Sequence, residues 1–259
     1  MPAFEPRNPN LVLVGLEEGR LSPVEAIQAL RTSSDSHARK RQIDAESPDA
    51  GEWRLNDALS ELDSLIGLTA VKALIRELAA YVRIQRIREM RQLASESLVL
   101  HMVFSGNPGT GKTTCARLIG KIFREMGVLE KGHLVERERA DLVGEYIGHT
   151  AQKTRDQIKK ALGGILFIDE AYSLASGGEK DFGKESISTL IKAMEDYRDR
   201  FIVILAGYRE EMARFVQSNP GIRSRFPIHI EFPDYTVEEL MLIADLMLKK
   251  RDYRLDIAA

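Results

Sequence analysis

The chain has 259 residues, 44% hydrophobic and 29% charged, the balance of a soluble globular protein with room for one large domain and an extension. Against 37 basic side chains stand 39 acidic ones, a formal charge of −2, so bulk electrostatics lend no support to nucleic-acid binding. The single cysteine, Cys115, excludes an internal disulfide framework and fits a reducing compartment.

No apolar run reaches the ~18 residues a membrane span needs, and the opening MPAFEPRNPN lacks the basic-then-apolar pattern of a secretory leader. The expectation is a cytoplasmic protein with no membrane segment. Residues 1–30 form a small patterned element: LVLVGLEEGRL reads as a strand and turn, and SPVEAIQAL as a helix start with Ser22 as N-cap, Pro23 at the first position and Glu25 closing a capping box. Residues 31–52 are nearly devoid of large apolar side chains and read as a linker. From residue 53 to residue 232 the pattern is dense. NDALSELDSLIGL predicts a short helix ending in a turn at Gly67, and AVKALIRELAAYVRIQRIREMRQLA a long amphipathic helix whose Arg76, Arg83 and Arg86 read as a solvated face rather than a nucleic-acid face.

Four apolar runs follow, LVLHMVFSG, GGILFIDEAY, FIVILAGY and the more polar IHIEF, and HLVERERA reads as a further strand. Apolar strands alternating with helical segments predict an α/β fold with a parallel sheet covered on both faces.

The first run leads straight into SGNPGTGKTT, residues 105–114, and then into the helix CARLIGKIFREM. Gly106, Gly111, Lys112 and Thr113 complete the phosphate-loop pattern, and its place between strand and helix is where the chemistry requires it. Glycines let successive backbone N–H groups turn toward phosphate oxygens, and the helix N-terminus adds a partial positive charge. Gly106, Asn107, Pro108, Gly109, Thr110 and Gly111 are the expected cradle, followed by Thr114 at its close. Lys112 would reach the outer phosphates and the Thr113 hydroxyl would ligate Mg²⁺. Cys115, just inside the helix, reads as packing.

ILFIDE, residues 165–170, is a buried strand delivering two carboxylates to the edge of the sheet. Asp169 would hold Mg²⁺ and Glu170 would orient the attacking water, the positioning that phosphoryl transfer to water needs. Lys112 and Glu170 are therefore candidate catalytic residues, with ATP and Mg²⁺ the expected ligands.

GNPGTGKTT, ILFIDEAY, ILAGY and GIRSRFP, in that order, resemble the AAA+ ATPases and, among them, the CbxX/CfqX branch; the resemblance covers roughly residues 55–250. It implies a phosphate-loop NTPase fold with a five-stranded parallel sheet, ATP hydrolysis, a homohexameric ring and an as yet unidentified protein client, in sporulation ahead of red-type rubisco activation. Residues 65–68, LIGL, match the segment that packs on adenine, which makes Ile66 and Gly67 candidates; an ordinary helix-ending turn is the other reading. SRF places the arginine finger at Arg225, with Arg223 as the alternative. In ILAGY the position where many relatives carry a polar sensor is Gly207, so either the Tyr208 hydroxyl serves or the role is absent. Tyr146, Ile147 and Gly148 match an aromatic–aliphatic–glycine triplet that faces the channel of such rings; the competing reading packs Tyr146 against its own domain. Residues 233–259 are expected to begin a helical lid and to leave it incomplete, with one helix opened by a Thr236–Glu239 capping box and an apolar face on LMLIADLML. An ATP-dependent assembly module with little turnover is the alternative to a remodelling ATPase, and a nucleic-acid motor is disfavoured by the acidic balance.

Overall fold

Five strands, β1 (Met102–Gly106), β2 (Leu134–Arg137), β3 (Ile165–Ile168), β4 (Ile202–Gly207) and β5 (Ile228–Phe232), pair in the order β2-β3-β4-β1-β5, each with its neighbour in parallel. Their side chains alternate between two cores. Ile202, Ile204 and Ala206 of β4 join one apolar cluster, whereas Val203 and Leu205 join the other. Both faces are covered, which is why these strands read in the sequence as unbroken apolar runs rather than as alternating ones.

The computed structural model describes residues 48–94, 99–146, 148–176 and 182–253. Contacts divide the chain into two units, Met1–Arg54 and Leu55–Ala259. The strand, turn and capping box expected over residues 1–30 lie outside the described residues. In the second unit, one face of the sheet carries α1 (Pro48–Asp63) from Leu55 onward, α2 (Thr69–Met90) and α3 (Lys112–Glu125). The other carries α5 (His149–Ala161), α6 (Gly183–Asp196) and α7 (Arg209–Ser218). Short pieces fill the connections: α4 (Arg139–Leu142), a 3₁₀ turn at Ala171–Ala175, and α8 (Pro220–Arg225). A last helix, α9 (Val237–Lys249), follows β5.

The helix α1 starts at Pro48, inside the stretch read from composition as linker. Proline is well suited to a first turn, where its missing N–H has no partner to lose, so polar composition alone did not mark this start. The turn at Gly67 and the long helix after it are as expected, with Gly67 and Leu68 both in the left-handed region, at φ 63 and 57. The solvated reading of the basic α2 face holds where partners are seen: Arg76 pairs with Asp63 at the surface, and Arg86 donates to the Gly127 carbonyl.

The predicted capping box of α9 is present: the Thr236 hydroxyl accepts from the Glu239 N–H at 3.2 Å and the Glu239 carboxylate from the Thr236 N–H at 2.9 Å. No residue of α9 is buried, and Leu240, Met241, Leu242 and Met247 are all exposed.

Because all five strands run the same way, their C-terminal ends share one edge. The phosphate loop leaves β1 there, the acidic pair leaves β3, and Tyr208 leaves β4. Open parallel sheets bind ligands at this edge.

Candidate nucleotide site

The loop of residues 106–111 owes its shape to glycine. Gly106, Gly109 and Gly111 have φ of 154, 78 and 93. A side chain at Gly106 would lie 2.4 Å from the Phe232 carbonyl, so only glycine lets the loop leave β1 against the end of β5. At Gly109 an added Cβ would meet nothing within 4 Å, so the mouth of the cradle is open. Thr110 is buried and its hydroxyl donates to the Asn107 carbonyl at 2.7 Å, closing the loop on itself. Gly111 caps α3, Thr113 lies in its first turn and Thr114 is exposed beside it. Pro108 is exposed at the rim.

The Lys112 ammonium donates to the Gly106 carbonyl at 2.8 Å and to the Asn107 carbonyl at 2.7 Å. Partial burial pushes its pKa below the ordinary lysine value, and the nearby Asp169 carboxylate acts in the opposite direction. The loop and the acidic pair leave strands that do not touch, since β4 lies between β1 and β3.

Asp169 follows β3, where its N–H donates to the Arg137 carbonyl at 2.8 Å. Glu170 sits at φ 47, ψ 44, a left-handed conformation that costs a non-glycine residue about 1–2 kcal/mol. Two hydrogen bonds hold it there: its N–H donates to Asp169 Oδ1 at 3.0 Å, and its carbonyl accepts from the Ser173 N–H at 2.8 Å. A cavity of about 630 Å³ opens beside Asp169 and Glu170, lined by Glu138, Arg139, Val143, Glu145 and Lys153 as well.

The donor set suits a magnesium-bound nucleotide. Backbone N–H groups of a glycine loop and one ammonium are donors an anion would take up, and the Thr113 hydroxyl and the Asp169 carboxylate would offer the hard oxygen atoms Mg²⁺ prefers. Among the described residues no group of three or more His, Cys, Asp or Glu forms a cage, and a nucleotide-borne Mg²⁺ needs none. The Thr113 hydroxyl also lies 3.4 Å from Glu136 Oε1 on β2.

Leu68 reaches the loop, and its neighbour Gly67 lies against α9. An added Cβ at Gly111 would stand 3.4 Å from Leu68 Cδ1, and one at Gly67 would collide with the Glu239 carboxylate of α9. Ile66 is half-buried in the same turn. The strand end at Gly207 carries no polar side chain for a physical reason: any Cβ there would lie 2.8 Å from the Tyr172 ring. Tyr208 packs on Tyr172 with ring centroids 6.2 Å apart and is itself 37% exposed. Burial first, then Glu170, Tyr208, Glu211 and Asp169, hold the Tyr172 phenol above its ordinary pKa, so this hydroxyl stands in the field of the acidic pair. Cys115 is fully buried, and burial pushes its thiol up to about 12, which makes it packing and no nucleophile at neutral pH.

The remaining predicted residues stand away from the loop. Asn219 caps α8 by accepting from the N–H groups of Gly221 at 3.0 Å and Ile222 at 3.2 Å, with Pro220 at the first position. That short helix ends on Arg225, whose guanidinium pairs with Glu195 of α6. Arg223 is exposed on the same helix. Tyr146 is 67% exposed, its ring edge-on to His149 at 5.7 Å, and Gly148 at φ 83 starts α5. Ile147 lies outside the described residues. Sequence reasoning missed Asp234 and Tyr235. Asp234 takes hydrogen bonds from Asn107 Nδ2 at 2.9 Å on both oxygens, and the Tyr235 hydroxyl lies 3.4 Å from the Thr110 carbonyl. Their one signal was position, directly after the strand that borders β1.

A model of the ATPase family associated with various cellular activities (AAA) matches residues 102–234. The chain is 61% identical over 201 residues to stage V sporulation protein K of Bacillus subtilis (strain 168), covering 78% of this chain and 62% of that one. It is 53% identical over 201 residues to protein CbbX of Cereibacter sphaeroides, covering 77% and 65%. To the chloroplastic ribulose bisphosphate carboxylase/oxygenase activase of Cyanidioschyzon merolae it is 48% identical over 206 residues, covering 79% and 70%. The chain thus spans less than two thirds of the length of the sporulation relative and of CbbX. Among solved structures, the FIGL-1 AAA domain in complex with ADP matches with a TM-score of 0.53 at 19% identity, over 75% of this chain and 62% of that one, a likeness of fold.

Proposed function

The chain belongs to the AAA family of ATPases, and from that premise we propose that it binds and hydrolyses ATP with Mg²⁺ as part of a homohexameric ring that remodels a protein client. The observation that carries this reading is that the phosphate loop leaving β1 and the acidic pair leaving β3 emerge at the same C-terminal edge of one parallel sheet.

Each residue has a role that follows from its place. The loop N–H groups and Lys112 bind the triphosphate, for which Lys112 gives up its contacts with the Gly106 and Asn107 carbonyls. Thr113 and Asp169 would hold Mg²⁺, which when bound neutralises charge developing on the phosphates. Glu170, held by two hydrogen bonds in a strained turn, orients a water and accepts its proton. Gly67 and Ile66 stand where the loop meets α9 and would border the base. Tyr208, directly after β4 and packed on Tyr172 of the turn after β3, would take the sensor position. Arg225 would act on the nucleotide of a neighbouring subunit.

The cavity beside the acidic pair supports a link to client work. Its lining runs from Asp169 and Glu170 to Val143 and Glu145, next to Tyr146. A change at Glu170 on hydrolysis would therefore reach the loop that bears the exposed tyrosine, which would grip an extended chain by apolar and stacking contact.

The sporulation relative supports a sporulation client. The relative named for rubisco activation, at 48% identity over 70% of its own length, supports rubisco as the second reading. ATP binding by calorimetry, and phosphate release with and without Mg²⁺, test the core of the proposal. Purified protein that binds no ATP would end it.

A further inference from the structure

The connector from β5 to α9 runs along the outer rim of the phosphate loop and touches it at successive points. Phe232, paired in register with Gly106, packs its carbonyl where a Gly106 side chain would be. Two residues later both Asp234 oxygens accept from Asn107 Nδ2 at 2.9 Å. Next, the Tyr235 hydroxyl lies 3.4 Å from the Thr110 carbonyl and faces Gly111, where an added Cβ would be 3.1 Å away. Thr236 then caps α9. The chain therefore passes from loop contact to helix cap without a free residue between.

We propose that Asp234 is a positioning residue of the nucleotide site: by holding the Asn107 amide it fixes the mouth of the phosphate loop and ties the state of that loop to α9. The inference rests on the reading of this loop as an ATP site. The backbone of Asn107 is the pivot. Its carbonyl accepts from Lys112, which must turn to the phosphates when nucleotide enters, and from the Thr110 hydroxyl; its side chain is held by Asp234. An ionised acceptor makes the stronger hydrogen bond, so the carboxylate holds the amide better than a neutral group would. Movement of Asn107 on binding is passed through Asp234 to a connector too short to absorb it, and the capping box of Thr236 and Glu239 carries it into the first turn of α9. On the far side the Glu239 carboxylate rests against Gly67, so the same helix start touches both walls of the site.

Asn107 and Asp234 are exposed, so truncating either leaves the core intact. ATP affinity in the presence of Mg²⁺ is measured for the full chain, N107A, D234A, the double variant and D234N, with amide hydrogen exchange of residues 237–249 followed with and without ATP. Expected are a loss of roughly threefold to tenfold for each alanine variant and no further loss in the double variant, because one interaction is removed in all three. D234N, whose amide oxygen still accepts from Asn107, recovers most of the affinity. ATP changes exchange in α9 of the full chain but not of D234A at saturating ATP. Full-chain affinity and an α9 response that survive in D234A overturn the inference and leave the ATP reading standing, as do losses that add in the double variant. A full chain that binds no ATP overturns both.

Discussion

Arg225 is held by Glu195 of its own chain, with Ser224 Oγ 3.3 Å from the second terminal nitrogen of the guanidinium. Both partners are partly exposed, and such pairs contribute about 0–1 kcal/mol, so exchanging the carboxylate for a neighbour's phosphate costs little. As the proposed finger, Arg225 would thus be stored in one orientation at the end of a capped helix and could change partner in trans.

The expected result for R225A is a fall in turnover of about 10³-fold or more with ATP affinity kept. Mixing R225A with K112A chains, each inactive alone, restores part of the activity, since an intact Lys112 site then meets an intact Arg225 from the next subunit. Phosphate release from the mixture is the measurement. A mixture as inactive as its parts, in assemblies of normal size, moves the finger elsewhere, with Arg223 the first alternative. E195Q changes turnover by no more than about fivefold.

In the proposed reading Lys112 serves binding and Glu170 serves hydrolysis, and two variants separate them. K112A removes a charged donor from the phosphates and is expected to weaken ATP binding by roughly 10–100-fold. E170Q keeps the backbone turn and the shape of the site but removes the proton acceptor. It should bind ATP normally and lose about 10²–10⁴ in turnover. Calorimetry beside single-turnover hydrolysis checks the split. Equal turnover in E170Q and the unaltered chain would show that Glu170 handles no proton.

The phosphate loop and the acidic pair were legible because each is a local pattern: a short run of residues carries the glycines, lysine and hydroxyl of one, and an apolar strand ending in two acids carries the other. The strands were legible because burial on both faces makes them continuous apolar runs. What stayed hidden depends on contacts distant in sequence. Asn107 and Asp234 are 127 residues apart, and Arg225 and Glu195 are 30 apart. No composition or period reports such pairings. The start of α1 was hidden for the opposite reason, since a first turn without large apolar residues looks like a linker in composition. The order of strands was hidden too, because alternation of strand and helix gives a parallel sheet without saying which strands are neighbours.

Tyr146 carries little of the fold: it is two-thirds exposed, and among the described residues its ring contact is with His149. Y146A should therefore melt within about 0.5 kcal/mol of the unaltered protein and bind ATP equally well. It should lose the stimulation of ATP turnover by a permanently unfolded polypeptide, and Y146F, which keeps the ring, should retain it. Stimulation that persists in Y146A removes this residue from client contact.

His101 sets a pH limit on the fold. It is buried between Phe201 and Phe226, and its Nδ1 accepts the Val203 N–H at 3.0 Å, an arrangement that needs a neutral ring. Burial pushes its pKa down from 6.5 to about 4. The unfolded chain therefore binds a proton that the folded chain refuses between those values, and stability must fall as the pH drops from 6.5 toward 4. The full difference is about 3 kcal/mol. Arg198, Arg225 and Glu195 line the same groove as His101, so the charged groups around it are two guanidinium groups and one carboxylate. Urea unfolding at pH 7.5, 6, 5 and 4.5 measures the slope. H101F removes the titrating group: its stability should be lower at pH 7.5, because the Val203 N–H loses its acceptor, and flatter below pH 6.5. An unchanged slope in H101F would assign the acid sensitivity to the carboxylates instead.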